Sequence, residues 1–271
     1  MTARPRRHPV VLIHGAFCAG WAMSGWKSVF ESAGYACAAP DLPHHAIDWP
    51  AESPDPNLSR LGLKAYTDHI LHECEALEDN PILIGHSLGG LIAQLAAARR
   101  PVAAIILLAP SAPWGVMPTS LREALTPAAM SFLAGPYWLK PILPDFTIAS
   151  ESCFNRVPTK DQGGIFDGFV PESGLATFET WQWAWDLRRS SWAAPHAVDA
   201  PMLILSGRDD RVNPPSTAAK IGERYPAAEA KLTIYDRHAH WLIAEPGWEE
   251  IVSDALSWLD DLYEDGRLQA A

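Results

Sequence analysis

The chain has 271 residues, of which 48% are hydrophobic and 20% charged, and its formal net charge is −11. This length suits one large α/β domain or a core with a subdomain, and the composition is that of a globular rather than a disordered protein. The acidic surface repels phosphate backbones, so we expect no nucleic acid partner.

The cysteines and the amino-terminal segment indicate a cytoplasmic protein. None of the four cysteines forms a C-x-x-C pair, which argues against zinc and favours reduced thiols. The apolar run Val10–Ile13, which follows Arg4, Arg6 and Arg7, is too short for a secretion signal. No stretch approaches the ~20 apolar residues of a membrane span, so we expect no membrane partner. The oligomeric state stays open, with a homodimer as one alternative.

Six short apolar runs have the length and composition of buried strands. Each is continuous rather than alternating, as in a parallel sheet that is covered on both faces. Helical patterns lie between several of them, and Lys64–Glu78 and Trp248–Tyr263 are examples. Strands alternating with helices predict an α/β fold with a mostly parallel, doubly wound sheet. The runs are Val10–Ile13, Tyr35–Pro40, Ile82–Ile84, Ile105–Leu108, Met202–Leu205 and Leu232–Tyr235.

The region 111–196 breaks this alternation. It contains no convincing strand, several prolines and half of the chain's 12 tryptophans. A segment of this length needs structure of its own or a function. We expect a helical cap, 111–196, inserted over the carboxyl edge of the sheet in a core formed by 1–110 and 197–271.

The segment around Ser87 is the most informative in the chain. It reads as a buried strand, the pattern G-x-S-x-G and the start of a helix. Such a sharp turn holds the serine out at the end of the sheet and aims the first helical N–H groups at whatever the serine attacks. Gly85 and Gly89 have no Cβ, so the turn can be tight. We therefore predict Ser87 as a nucleophile.

A nucleophilic serine needs a base and an orienting acid, and both should follow other strands of the sheet. Asp209 and Asp210 follow the fifth predicted strand, and His238 and His240 follow the sixth. The order serine, acid, histidine is typical of the nucleophile-elbow architecture. The order alone leaves open which member of each pair takes part.

With these motifs the chain resembles the α/β-hydrolase superfamily, in its branch of small esterases, lactonases and C–C hydrolases with a helical cap. The resemblance extends from about Val10 to Leu262 and implies the α/β-hydrolase fold. The segments that carry it are His14-Gly15-Ala16, Asp41-Leu42-Pro43, the G-H-S-L-G-G turn, Gly207 to Pro214, and Ala239-His240-Trp241 followed by Glu245-Pro246.

The resemblance implies a choice within each pair. The family pattern around the acid has a glycine three residues before it and a proline four residues after it, which favours Asp210. Asp209 is then expected to face solvent or to cap the following turn. The family's base is followed by an aromatic or small residue and then by Glu-Pro, which favours His240 over His238. Asp236 ends the strand before the histidine loop and is expected to be structural.

The resemblance also implies an oxyanion hole made of two backbone N–H groups, those of Ala16 and Leu88. Backbone donors suit this task because they are rigid and need no reorganisation as charge develops. Leu88 also begins a helix, whose amino-terminal partial charge favours an anion. His14 and His86 are expected to be structural rather than proton carriers.

The loop after the second strand departs from the family pattern. Many relatives continue Asp-Leu-Pro with Gly-His-Gly, whereas this chain has His44-His45. Side chains replace glycines here, so the loop cannot adopt glycine-only backbone angles without strain. We expect no metal at this pair, because adjacent histidines rarely bind one ion and no carboxylate stands at a telling distance in the sequence.

Four aromatic residues are candidates for the substrate-binding wall: Phe17, Trp21, Trp181 and Trp185. Most cap tryptophans are expected to pack between the cap and the sheet. Two or more facing the serine would make the pocket apolar and favour aromatic or medium-length acyl groups.

These expectations together predict a cofactor-independent serine hydrolase that cleaves an apolar or aromatic carboxylic ester or lactone through an acyl-enzyme. Ser87 attacks, His240 moves the proton and Asp210 orients the imidazole, with no cofactor and no metal. The same triad supports C–C bond hydrolysis, perhydrolysis or cyanohydrin cleavage as alternatives, because one fold hosts many reactions. A non-catalytic ligand receptor is the alternative from another class.

Overall fold

A computed structural model describes residues 7–45, 54–119, 123 and 135–269 of the chain. A six-stranded sheet forms its centre, in the order β2-β1-β3-β4-β7-β8, and all five pairings are parallel. Every predicted strand is present, so the α/β fold with a doubly wound sheet is confirmed. The strands of this sheet are β1 (Val10–Ile13), β2 (Cys37–Ala38), β3 (Ile82–His86), β4 (Ala104–Leu108), β7 (Met202–Gly207) and β8 (Lys231–Tyr235).

Helices cover both faces of the sheet because successive strand residues point to opposite sides. Val10 and Leu12 face one side, where Trp26 of α1 and Leu259 of α8 pack against them in one apolar cluster. Val11 and Ile13 face the other side and pack in the cluster that contains residues of α2, α3 and α7. These helices are α1 (Ser24–Ser32), α2 (Leu63–Glu75), α3 (Leu88–Ala97), α7 (Pro215–Arg224) and α8 (Trp248–Glu264).

The described part of the region between β4 and β7 contains α-helices joined by irregular segments, and it also contains two short strands. Residues 120–122 and 124–134 of the predicted cap lie outside the described residues. The expectation that 111–196 has no strand is wrong, because β5 and β6 pair antiparallel over two residues each, too short to leave a sequence pattern. Its elements are β5 (Pro141–Ile142), α4 (Phe146–Ser152), α5 (Thr159–Phe166), β6 (Glu172–Ser173) and α6 (Gly174–Trp181).

The turn between β3 and α3 packs so closely on β1 that it leaves no space for side chains. A Cβ built on Gly85 would lie 2.3 Å from the carbonyl oxygen of Gly89, and one built on Gly89 would lie 2.2 Å from that of Ile13. Real Cβ atoms do not approach backbone oxygens so closely. Glycine is therefore required at both positions for steric reasons.

Replacing Gly89 by alanine tests this close approach. The added Cβ would overlap the backbone of β1, so we expect Gly89→Ala to lower the free energy of unfolding by roughly 1–3 kcal/mol. The matched control is Gly163→Ala in α5, where no atom lies within 4 Å of an added Cβ. Alanine forms helix better than glycine, so the control should be as stable as the parent or more so. Urea unfolding measures both, and equal stabilities would contradict the steric argument.

Candidate active site

Ser87 lies in the sharp turn that joins β3 to α3. Its backbone has φ 53° and ψ −116°, a conformation that non-glycine residues rarely adopt. Hydrogen bonds hold it on both sides: its N–H donates to the carbonyl of Leu108 (2.9 Å), and its own carbonyl accepts from the N–H of Ser111 (2.9 Å). The turn is thus fixed by the strand next to β3 and by the chain that follows that strand.

Ser87, His240 and Asp210 form a continuous chain of hydrogen bonds. The distance from Ser87 Oγ to His240 Nε2 is 3.0 Å, and that from His240 Nδ1 to an Asp210 carboxylate oxygen is 2.9 Å. The carboxylate can only accept, so Nδ1 carries a proton and Nε2 of the neutral ring accepts from the Ser87 hydroxyl. All three side chains are buried or nearly so.

The second oxygen of Asp210 is held by its own loop. Oδ1 accepts from the N–H groups of Val212 (2.8 Å) and Asn213 (2.9 Å). These bonds leave Oδ2 free to face the imidazole. The loop follows β7 directly, so the carboxylate reaches the edge of the sheet at which Ser87 lies.

Asp209 takes a different direction and contacts the region between β4 and β7. Its carboxylate accepts from Nε (2.8 Å) and Nη2 (2.5 Å) of Arg156, and its carbonyl accepts from the Asn155 side-chain amide (3.0 Å). The expectation that Asp209 faces solvent or caps a turn therefore misses its ion pair. That ion pair joins the loop after β7 to the segment after α4.

His238 does not reach the serine in this structure. Its Nδ1 bonds to the carbonyl of Asp236 (3.1 Å), and its Nε2 is buried with no partner among the described residues. Asp236 itself pairs with Arg208 at the surface, as expected of a structural residue. Of the two histidines in this loop, only His240 contacts Ser87.

Glu245 is a buried carboxylate that supports the histidine loop. Its Oε1 accepts from the N–H of Ala239 (2.7 Å), the residue before His240. Burial raises the pKa of Glu245 to about 7, against the lowering effects of that N–H and of His238. The Glu-Pro pair belongs to the family pattern, but no spacing in the sequence indicates that this carboxylate contacts the loop.

The loop after β1 and the first residue of α3 both lie next to Ser87. A Cβ built on Gly15, the residue before Ala16, would lie 3.2 Å from the Ser87 Cβ. Leu88 is the first residue of α3, and its N–H has no carbonyl one helical turn earlier to bind. Within the described ranges, neither N–H donates to a protein acceptor.

His14 and His86 are buried rings that shape the loops around Ser87. His14 donates from Nδ1 to the Gly15 carbonyl (2.8 Å) and accepts at Nε2 from the N–H of Leu42 (2.9 Å). His86 donates from Nε2 to the carbonyl of His240 (2.8 Å). Burial, reinforced by neighbouring imidazoles, lowers the pKa of each ring to about 3. Both rings are therefore neutral near pH 7.

The four predicted substrate-binding aromatics lie in different surroundings. Phe17 and Trp21 follow the loop segment that lies next to Ser87, and Trp21 packs against Trp241 with ring centres 6.4 Å apart. Trp181 ends α6 and is partly buried, whereas Trp185 is 79% exposed. No contact joins either residue to the Ser87–His240–Asp210 chain in the described structure, and the substrate-binding assignment stays a prediction for all four.

Each ring of the His44-His45 pair has a carboxylate partner that the sequence did not reveal. His44 pairs with Asp55, and His45 Nε2 lies 3.2 Å from an oxygen of the buried Glu172. His44 also has φ 64°, so a side chain occupies the left-handed conformation expected of the replaced glycine. Among the described residues, no group of three or more His, Cys, Asp or Glu side chains is placed to hold a metal ion.

Residues 10–253 match the alpha/beta hydrolase family, and the chain belongs to that family. Among curated proteins it is 26% identical over 255 residues to a pyrethroid hydrolase of Sphingobium wenxiniae, covering 90% of this chain and 86% of that protein. It is 25% identical over 271 residues to 2-hydroxy-6-oxo-2,4-heptadienoate hydrolase of Pseudomonas putida, covering 92% and 89%. The expected superfamily is thus confirmed.

Solved structures of other proteins share this fold. The crystal structure of a monoacylglycerol lipase from Paleococcus ferrophilus superimposes with a TM-score of 0.67 at 22% identity, covering 94% of this chain and 96% of the lipase. At this identity the likeness concerns the fold alone. In the described residues, no helix is both long enough and apolar enough to cross a membrane.

The low pKa of His86 predicts that the free energy of unfolding decreases in acid. The pKa falls from 6.5 to about 3 on folding, so the unfolded chain binds the proton more tightly and stability falls as pH drops from 6.5 toward 3. His86→Gln keeps a donor for the His240 carbonyl and removes the titration. We expect the stability of this variant to depend less steeply on pH between 6 and 4.

Urea unfolding at several pH values measures this slope. His72→Gln is the control, because that ring is 80% exposed and should leave the slope unchanged. Identical slopes for His86→Gln and the parent would contradict the assignment of a neutral buried ring.

Proposed function

We propose that this chain is a cofactor-independent serine hydrolase that cleaves a carboxylic ester or lactone through an acyl-enzyme. The observation that carries the proposal is the chain of hydrogen bonds from Ser87 Oγ through His240 to Asp210. A serine in a nucleophile turn, a base within reach and a base-orienting carboxylate are the parts that acyl transfer requires.

In the acylation step, Ser87 Oγ attacks the carbonyl carbon while its proton moves to His240 Nε2. The carbonyl π bond breaks, and its electron pair goes to the oxygen, which the N–H groups of Ala16 and Leu88 stabilise. The oxyanion then re-forms the carbonyl, the bond to the leaving oxygen breaks, and His240 gives its proton to that oxygen. Asp210 supports the positive imidazolium between the two transfers.

Water completes the cycle by the same route. The water oxygen attacks the acyl carbon while His240 Nε2 takes a proton from that water. The N–H groups of Ala16 and Leu88 stabilise the second tetrahedral oxyanion as they did the first. When this intermediate collapses, Ser87 Oγ leaves and recovers its proton from His240. The base must be neutral at the start of each step, because only an unprotonated Nε2 can take the proton of the attacking hydroxyl or water.

An apolar or aromatic substrate fits the side chains around the triad. Trp241 follows His240 and packs edge-on against Phe154 (ring centres 5.2 Å apart) and close to Phe169 (5.8 Å). Phe17 and Trp21 adjoin the same cluster. Trp241 and Phe154 are themselves buried, so we assign the substrate wall to the partly buried Phe17 and Trp21. Such a wall favours groups that lose little on leaving water, rather than charged ones. The named substrate class of the pyrethroid hydrolase relative supports the same choice.

C–C bond hydrolysis is the second candidate function. One curated relative is named a 2-hydroxy-6-oxo-2,4-heptadienoate hydrolase, and the compound in that name contains no ester. A ketone carbonyl can be attacked in the same site, with a carbon atom as the leaving group. The triad does not distinguish the two reactions, so the substrate decides between them.

Triad variants test the roles of the three side chains. We expect Ser87→Ala to lower kcat by roughly 10⁶ and Asp210→Asn by roughly 10⁴, because the asparagine favours the wrong imidazole tautomer. The matched control is Asp209→Asn, which breaks only an exposed ion pair and should retain kcat within about threefold. Steady-state hydrolysis of p-nitrophenyl esters measures all three, and equal losses at positions 209 and 210 would overturn the acid assignment.

A substrate panel and a covalent probe separate the competing functions. A fluorophosphonate should add to Ser87, as detected by peptide mass spectrometry, and should not label Ser87→Ala. Chromogenic esters graded by acyl length are then compared with a vinylogous diketone. Faster cleavage of the diketone would favour the C–C hydrolase, and a protein that neither labels nor turns over would be a receptor.

A further inference from the structure

Phe17, which follows the proposed oxyanion donor Ala16, is held from both sides by residues 170–172. It has φ 61°, in the left-handed region that is unfavourable for a bulky side chain. Its N–H faces Oε2 of Glu172 at 3.3 Å, and its carbonyl accepts from the N–H of Val170 at 2.9 Å. Both polar groups of this strained residue therefore find their partners in one segment outside the sheet.

A third hydrogen bond joins the same two parts of the chain. The indole N–H of Trp21 donates to the carbonyl of Gly168 over 3.0 Å. A Cβ built on Gly168 would lie 2.7 Å from the Trp21 ring, so these two segments of the chain pack without a gap. The segment 16–21 and the segment 168–172 thus form one unit, which we call the oxyanion seam.

Glu172 is the charged group of the oxyanion seam, and it is fully buried. Its Oε1 accepts from the Tyr66 hydroxyl (2.7 Å) and from the N–H of Ser173 (2.6 Å). Its Oε2 faces His45 Nε2 (3.2 Å) and the N–H of Phe17. The two oxygens therefore have separate tasks: one binds α2 and its own strand, and the other binds the loops on either side of the site.

The protonation states fit this arrangement. His45 Nδ1 faces the Pro43 carbonyl (3.0 Å) and Nε2 faces the carboxylate, so both nitrogens point at acceptors. Burial opposes the charge on His45, but Glu172 and these hydrogen bonds outweigh it and raise the pKa. Burial would raise the pKa of Glu172, yet the charge of His45 and the hydrogen bonds from His45, Tyr66 and Ser173 lower it. The pair is ionised and compensated inside the protein.

We propose that Glu172 is a positioning residue for the oxyanion hole, acting through the N–H of Phe17. The peptide planes that carry the Ala16 and Phe17 N–H groups meet at the Cα of Ala16, so fixing the Phe17 N–H fixes one of these two planes and limits where the Ala16 N–H can point. Oxyanion donors must lie within a few tenths of an ångström of their place to stabilise the developing charge. Glu172 touches neither Ser87 nor His240, and the proposal rests on the serine hydrolase function given above.

Glu172→Gln is the test variant, and Tyr66→Phe is its matched control. A glutamine presents one oxygen and one NH₂ group, so it cannot accept from the donors on both sides of the present carboxylate. Tyr66→Phe removes a buried hydrogen bond from Oε1 and leaves Oε2 facing Phe17. A purely structural role predicts similar effects of both changes, whereas a positioning role predicts that only Glu172→Gln affects the chemical step.

We expect Glu172→Gln to lower kcat by about 10- to 100-fold with KM changed less than about threefold, since removing an oxyanion donor outright costs about 10²–10³. Amide hydrogen exchange in the peptide covering 14–20 should become faster. Tyr66→Phe should lower Tm while kcat stays within about twofold and exchange of that peptide is unchanged. If Glu172→Gln does not fold, His45→Gln/Glu172→Gln removes both buried charges together and carries the same expectation.

Unchanged exchange in the folded Glu172 variant, or a kcat equal to that of Tyr66→Phe, overturns the proposal. Failure of the underlying function is recognised separately, because the parent protein would then show no fluorophosphonate adduct on Ser87. In that case the catalytic half of the proposal falls with the function. Exchange of the 14–20 peptide still decides whether Glu172 holds the loop.

Discussion

Four backbone segments pack closely around Ser87: β1, the turn between β3 and α3, the end of β7 and the loop that carries His240. They can approach so closely because the residues at the points of contact are glycines, which have no side chain. The strand-to-helix turn touches itself at Gly85 and touches β1 at Gly89. A Cβ on Gly207, at the end of β7, would lie 2.3 Å from the carbonyl oxygen of Ala239. The backbone at the end of β7 therefore packs directly on the loop that carries His240. The hydrogen bonds from Ser87 through His240 to Asp210 need these close backbone contacts. Each side chain has a fixed length, so the three loops that carry them must lie close together for the side chains to meet.

The places of Ser87, Asp210 and His240 in the fold were predictable because each residue follows the end of a strand. The apolar runs place β3, β7 and β8, and parallel strands bring their carboxyl ends to one edge. The structure places His240 against Ser87 and Asp210 against the imidazole, and the catalytic roles of these residues stay predictions. Local spacing was enough here because each polar residue follows its strand within a few positions.

Glu172 could not have been predicted in this way. Its partner His45 lies 127 residues earlier, and β6, which carries it, is two residues long. No periodicity marks so short a strand, and a single glutamate in a region rich in prolines and tryptophans carries no motif. The same holds for His44 and Asp55, whose pairing is indicated by no motif or spacing in the sequence. Burial of a charge becomes visible only once distant segments are placed together.

The oxyanion seam bears on how such proteins diversify. If residues 168–172 served only to select substrates, the whole region between β4 and β7 could be exchanged between relatives as a module. The hydrogen bonds from Val170 and to Glu172 instead make that region a structural partner of the loop after β1. A transplanted region would have to bring matching groups for Phe17 and Trp21, so new specificities are more readily acquired by point changes elsewhere in it.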